Sequence, residues 1–119
     1  MSHRRFHHPE QHEPFAFSAA SEEQIAWWER KYPAERRAST VIPALWITQK
    51  QNNGWLSEPA LRAVSDRLGM TYIRVYEIAT FYTMFNLEPV GKYHFQVCGT
   101  TPCALRGADK LKDFCERKI

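Results

Sequence analysis

The sequence predicts an α+β chain, an N-terminal four-helix unit followed by one strand and one helix, on three observations. Between residues 21 and 88 apolar side chains recur at helical spacing, broken by Pro and Gly signals. Lys92 to Cys98 is the only segment that alternates convincingly. After it, the loop Cys98-Gly99-Thr100-Thr101-Pro102-Cys103 opens a last helical pattern. The expected division is a disordered tail over 1–20, a helical bundle over 21–88, and an α/β segment over 89–119.

In the tail, His3, His7, His8 and His12 stand among Arg4, Arg5, Pro9 and Pro14. No apolar periodicity fixes their geometry, so they read as a tail rather than a metal site. Phe15 and Phe17 are where it would dock. Ser21 is the expected N-cap of the first helix, with Gln24 completing a capping box and Ile25, Trp28 and Tyr32 following at helical spacing. Pro33 ends it, because the residue before proline is driven out of the α region.

The second helix starts near Glu35 to Ser39, presents Val41, Ile42, Leu45 and Trp46 on one stripe, and stops at Asn52-Asn53-Gly54. Pro43 kinks it unless its first turn starts later. Ser57 caps the third helix, Pro59 sits in its first turn, Leu61, Val64 and Leu68 face inward, and Gly69 terminates it. Thr71 caps the fourth. From Tyr72 to Phe85 this helix is apolar on nearly all sides, so it needs cover on more than one face. Some of Phe81, Tyr82 and Phe85 are candidates to face another subunit or the following domain. Asn86 to Gly91 reads as a linker.

In the strand, Tyr93, Phe95 and Val97 alternate with His94, Gln96 and Cys98. The last helix, from Pro102 or Cys103 to Arg117, would turn Leu105, Ala108, Leu111 and Phe114 or Cys115 inward.

Composition bounds the function. The chain has 119 residues, 44% apolar and 13% aromatic, enough for the core of one ordinary domain or of a small domain plus part of another. No uncharged apolar run approaches the roughly eighteen residues that span a bilayer. The formal charge of +3 is spread over mixed acids and bases, which argues against nucleic acid as a partner. Lys110, Lys112, Arg117 and Lys118 form a solvated helix face. Three cysteines behind a start without an apolar leader pattern point to a reducing compartment, where close cysteines read as a metal or redox site.

Cys98 and Cys103 carry that chemistry. Two thiolates on one loop can chelate a metal centre, and thiolate sulfur is the ligand of iron–sulfur clusters. Gly99 permits a close backbone approach, Thr100 and Thr101 offer donors to anionic sulfur, and Pro102 suits the first turn of a helix whose N-terminus favours a thiolate. A [2Fe-2S] cluster takes four ligands, and the loop supplies two. On a continuous helix Cys115 would stand roughly 18 Å from Cys103, too far to share a cluster, and reads as an unreactive buried thiol. His94 shares the Cys98 face but reads as a solvent-facing or hydrogen-bonding side chain. Arg106, one turn into the helix, could pair with a partner carboxylate or moderate cluster charge.

Cys98 to Cys103 with Leu105-Arg106-Gly107, preceded by Tyr76-Glu-Ile-Ala-Thr-Phe-Tyr-Thr-Met-Phe85 and Pro89-Val-Gly-Lys-Tyr93, resembles the small thioredoxin-like [2Fe-2S] subunit of the NADH-oxidising module of respiratory complex I. The likeness runs upstream through Trp46, Ala38 and Tyr32-Pro33 and covers nearly all of the chain beyond the first twenty residues. It also favours a continuous second helix. It implies that residues 89–119 begin a thioredoxin-like domain. It further implies a [2Fe-2S] cluster held in part by Cys98 and Cys103, and a flavoprotein partner that carries FMN and oxidises NADH. The subunit would pass single electrons without a substrate pocket of its own. It would sit in the cytoplasm among the other peripheral-arm subunits, reaching the inner face of the membrane only through the complex. A matrix location fits less well, because Glu10 and Glu13 are unlike an acid-poor transit peptide.

Members of that family continue into further strands and a helix and carry a second cysteine pair. This sequence reaches Ile119 before them, so it is expected to be the N-terminal part of a longer protein with an incomplete thioredoxin-like domain, and to hold no stable cluster by itself. Related subunits serve NAD-linked hydrogenases and formate dehydrogenases, which stay open as hosts. Two other classes also stay open: a cluster-free adaptor that contributes only its helices, and a small thiol-disulfide or zinc protein. The last is disfavoured because the spacing is not C-x-x-C and no second ligand pair is visible.

Overall fold

The computed structural model describes residues 13–119, so His3, His7, His8 and His12 lie outside the described residues. Its order is α1 (Ala19–Glu29), a 3-10 helix (Ala34–Thr40), α2 (Val41–Gln51), α3 (Glu58–Leu68), α4 (Tyr72–Phe81), α5 (Thr101–Leu105) and α6 (Ala108–Lys118).

The first helix starts earlier than the Ser21 cap predicts. Ser18 is the N-cap, accepting the Ser21 N–H at 3.2 Å, while Ser21 is buried and its hydroxyl donates to Gln51 Oε1 at 2.6 Å. Gln51 also accepts from the Ser18 N–H and donates to the Ala16 carbonyl. A tertiary partner thus overrides the local capping signal at Ser21. Residues 16–20, assigned to the tail from sequence, are tied down by these bonds, and Phe17 packs against the core. The helix ends at Glu29, short of Tyr32, and a turn leads into Pro33.

The second helical region is divided. A 3-10 stretch with non-helical torsions at Arg36 precedes α2, whose start at Val41 puts Pro43 in the first turn. There its missing N–H leaves no bond unmade, so no kink follows. Leu45 is fully buried, whereas Trp46 stands partly exposed with its ring edge toward Phe85 at 5.9 Å.

Helix α3 follows its signals closely. Ser57 Oγ accepts the Ala60 N–H, Pro59 lies in the first turn, and Gly69 adopts φ 64° while the Met70 N–H returns to the Ser65 carbonyl. Leu61, Val64 and Leu68 are buried.

Helix α4 stops at Phe81, four residues before the predicted end, where Tyr82 turns extended (φ −84°, ψ 121°). The chain then folds back and places Phe85 and Leu87 in the core beside Ile25, Leu45, Val64, Val75 and Ala79. Burying a Phe ring contributes roughly 2–3 kcal/mol, which favours the turn over further helix. Phe85 is therefore core. Of the apolar residues around α4, Val75 and Ala79 are buried, while Ile73 and Phe81 are 65% and 75% exposed.

Polar bonds fix the end of the bundle from which residues 89–119 depart. Gln49 Nε2 donates to the Met84 carbonyl and Gln49 Oε1 accepts the Asn86 N–H, while Asn86 Nδ2 donates to the Gly54 carbonyl. The Leu56 N–H completes the set on the Asn86 carbonyl at 2.7 Å. Across the other end, Arg67 binds Glu29 through both terminal nitrogens at 2.9 and 3.0 Å and Glu22 through Nε at 2.7 Å.

The predicted strand does not form: residues 92–98 are irregular, and no strand occurs among the described residues. A strand needs a hydrogen-bonding neighbour, and the described residues offer none. The predicted last helix is two, because Arg106 leaves helical torsions and Gly107 takes φ 99°. Helices α5 and α6 contact each other and no other helix. Of the side chains predicted to turn inward, Ala108 is buried and Cys115 partly so, whereas Leu105, Leu111 and Phe114 are exposed. No helix of the described residues is long and apolar enough to cross a membrane.

Candidate metal centre

The loop after residue 97 ends in α5, whose first turn contains Pro102 and Cys103. Thr100 is the N-cap residue, yet its side chain makes no capping bond. Its hydroxyl instead lies 3.1 Å from the Cys98 sulfur. A group that could serve the helix serves the thiol.

Cys98 and Cys103 are both free of disulfides and line one open hollow of about 370 Å³. Gln96, Arg106 and Leu111 also line it. Cys98 is exposed and Cys103 half-buried. The Thr100 hydroxyl, then its amide, then the Cys103 thiol hydrogen-bond the Cys98 sulfur and hold its pKa below that of an ordinary thiol. Cys103 is pushed up, first because its proton is engaged by Cys98 and then by the charge that Cys98 carries when ionised.

The other sequence candidates separate. Arg106 lines the cysteine hollow, as its place one turn beyond Cys103 suggests. His94 lines a different hollow, with Gln49, Asn86 and Lys92 at the end of the bundle. Cys115 lines a third, with Phe95, Val97 and Lys112. The break at Gly107 removes the continuous helix used to separate Cys115 from Cys103, but the two thiols still open into different hollows. Leu111 is missing from the site that the sequence suggests, because helical spacing assigns it to a core. Gln96 shows there only as a residue sharing the Cys98 face.

The donor set fits part of an iron–sulfur group. Two adjacent thiols, with an N–H and a hydroxyl directed at sulfur, are suitable ligands and supporting donors. Among the described residues no three of His, Cys, Asp and Glu gather into one site, so the set stands at two sulfurs.

Comparison with known proteins places the chain among relatives. The family model for thioredoxin-like [2Fe-2S] ferredoxins matches residues 25–119. The E subunit of the Rickettsia conorii NADH-quinone oxidoreductase is 56% identical over 90 residues, covering 76% of this chain and 54% of its own length. Its counterpart in Rickettsia prowazekii is 54% identical over 90 residues, covering 76% of this chain and 51% of its own. The E 1 subunit of the Rhizobium meliloti NADH-quinone oxidoreductase is 54% identical over 111 residues, covering 90% of this chain and 40% of its own. The chain spans about half the length of the curated relatives it matches. With its family model running from within α1 through the cysteine loop to the end of the chain, the chain belongs to the thioredoxin-like [2Fe-2S] ferredoxin family.

Proposed function

We propose that this chain acts in an iron–sulfur subunit of an NADH:quinone oxidoreductase, where Cys98 and Cys103 supply two of the four thiolates of a [2Fe-2S] cluster. The observation that carries the reading is the pair of free thiols lining one hollow, one supported by Thr100, in a chain of this family. When bound, such a cluster stores one electron at a time, which suits it to accept electrons singly from the FMN of a flavoprotein that oxidises NADH. The chain's own residues hold and orient. Thr100 directs its hydroxyl to the Cys98 sulfur, and Arg106 places a cation beside the hollow. The helical unit docks on the flavoprotein and the other peripheral-arm subunits, and the protein reaches the inner face of the membrane from the cytoplasm through that assembly.

The test is a chimera in which this chain replaces the matching half of the Rickettsia conorii relative, whose remaining half would bring the second cysteine pair. Its visible absorption, its electron paramagnetic resonance after reduction, and its iron and acid-labile sulfide are expected to report one [2Fe-2S] centre. Cys98→Ser and Cys103→Ser are each expected to destroy or alter it. A centre unchanged after both substitutions overturns the assignment. The 119-residue chain alone is expected to retain iron and sulfide well below one cluster per chain. A second reading, a cluster-free adaptor, is favoured by the exposed Ile73 and Phe81 on α4. It predicts that the doubly substituted chimera still assembles with the flavoprotein, without a centre of its own.

A further inference from the structure

The two thiols that line one hollow have a second chemistry open to them. Cys98 is exposed and can be reached by a solution reagent. Cys103 is half-buried and lines the same hollow as Cys98. Cys115, the remaining thiol, opens into a different hollow beside Phe95 and Lys112. Between the pair lie Gly99 and Thr100, outside any helix, so the loop on the Cys98 side can adjust while α5 carries Cys103. Disulfide geometry is narrow, and it is met most readily where one partner lies on a short irregular segment.

We propose that Cys98 and Cys103 form a reversible internal disulfide with glutathione-type disulfides as oxidant, and that this bridge closes the dithiol to metal. The Cys98 thiolate attacks one sulfur of the oxidant, forming a mixed disulfide and releasing one thiolate. The Cys103 thiol, losing its proton to solvent, then attacks the Cys98 sulfur, closing the bridge and releasing the second thiolate. In total, two protein thiols are oxidised to one disulfide while one small disulfide is reduced to two thiols. A dithiol reductant reverses both steps. The five-residue spacing is unlike the C-x-x-C of catalytic oxidoreductases, so the bridge is a state of this site rather than a turnover activity. Its formation depends only on the placement of the thiols; its consequence for iron–sulfur loading rests on the function proposed above.

The experiment uses the reduced 119-residue chain, incubated without oxygen in excess oxidised glutathione, quenched in acid, alkylated and weighed intact. The expected product has lost two of its three free thiols without retaining glutathione, and peptide mapping finds Cys98 joined to Cys103. Cys115→Ser leaves this outcome unchanged. Cys98→Ser and Cys103→Ser each stop at a glutathione adduct on the remaining partner. A wild-type chain that stays glutathionylated at Cys98, or that bridges through Cys115 or between chains, overturns the proposal. Cobalt(II) added afterward reads the second part: the reduced chain is expected to show a thiolate-to-cobalt charge-transfer band, and the bridged chain to lose it. A band that persists in the bridged chain overturns the closing of the site. A band missing from the reduced chain, with the bridge formed, counts against the metal-binding function and leaves the disulfide standing.

Discussion

At the scale of single residues, Thr100 and Glu29 show how a neighbour sets a side chain's acidity. The Thr100 hydroxyl, ahead of its amide and the Cys103 thiol, lowers the Cys98 pKa. Thr100→Val is therefore expected to move the pH of half-maximal Cys98 alkylation upward, with helix content unchanged because the hydroxyl makes no capping bond. A profile that stays put would remove Thr100 from the site. For Glu29, burial pushes the carboxyl up, but hydrogen bonds and charges from Arg67 and Arg37 outweigh it and bring its pKa below 4.5. Because the folded value is depressed, the stabilisation is complete above the unfolded value and fades as pH falls through the folded one. Glu29→Gln is thus expected to cost about 1 kcal/mol at neutral pH, the upper scale of a surface ion pair, and to approach zero cost in strong acid. Urea melts at the two pH values decide it.

At the scale of elements, local signals hold where nothing distant competes. Ser57 and Gly69 bracket α3 where the sequence places them. They fail where a tertiary partner chooses. Gln51 selects Ser18 over Ser21, and the core draws in Phe85, ending α4 at Phe81. The expected strand is absent because alternation marks a segment able to pair, while pairing needs a second segment. Two glycines separate backbone strain from crowding. At Gly69, φ 64°, an added Cβ meets nothing within 4 Å, so Gly69→Ala is expected to cost about 1 kcal/mol from the left-handed torsion alone. At Gly54, φ 89°, the same atom would lie 3.0 Å from a Val90 methyl, so Gly54→Ala is expected to cost about 2 kcal/mol or more. Equal melting shifts for the two would mean that Val90 yields freely.

At the scale of the whole molecule, one core joins the first four α-helices and reaches Leu87, while α5 and α6 contact each other and no other helix. Hydrogen exchange is expected to show strong protection in α2 and α3 and weak protection through α5 and α6. Slow exchange across residues 101–118 would reveal cover that the contacts do not show. Of the candidate site, the two cysteines and the start of α5 are legible in the sequence because chemistry and helix signals are local. The hollow that groups Arg106 and Leu111 with them, and parts them from His94 and Cys115, depends on the turn at Gly107, which only the folded chain displays.

That separation of the last two helices has a thermodynamic reading. Helices α1 to α4 make no contact with α5 or α6, so the free energies of substitutions in the first four helices and at Cys103 are expected to sum, with a coupling near zero. A chain carrying Glu29→Gln could lose resistance to urea while its sulfurs keep the same affinity for a soft metal, and each side could change without the other registering it.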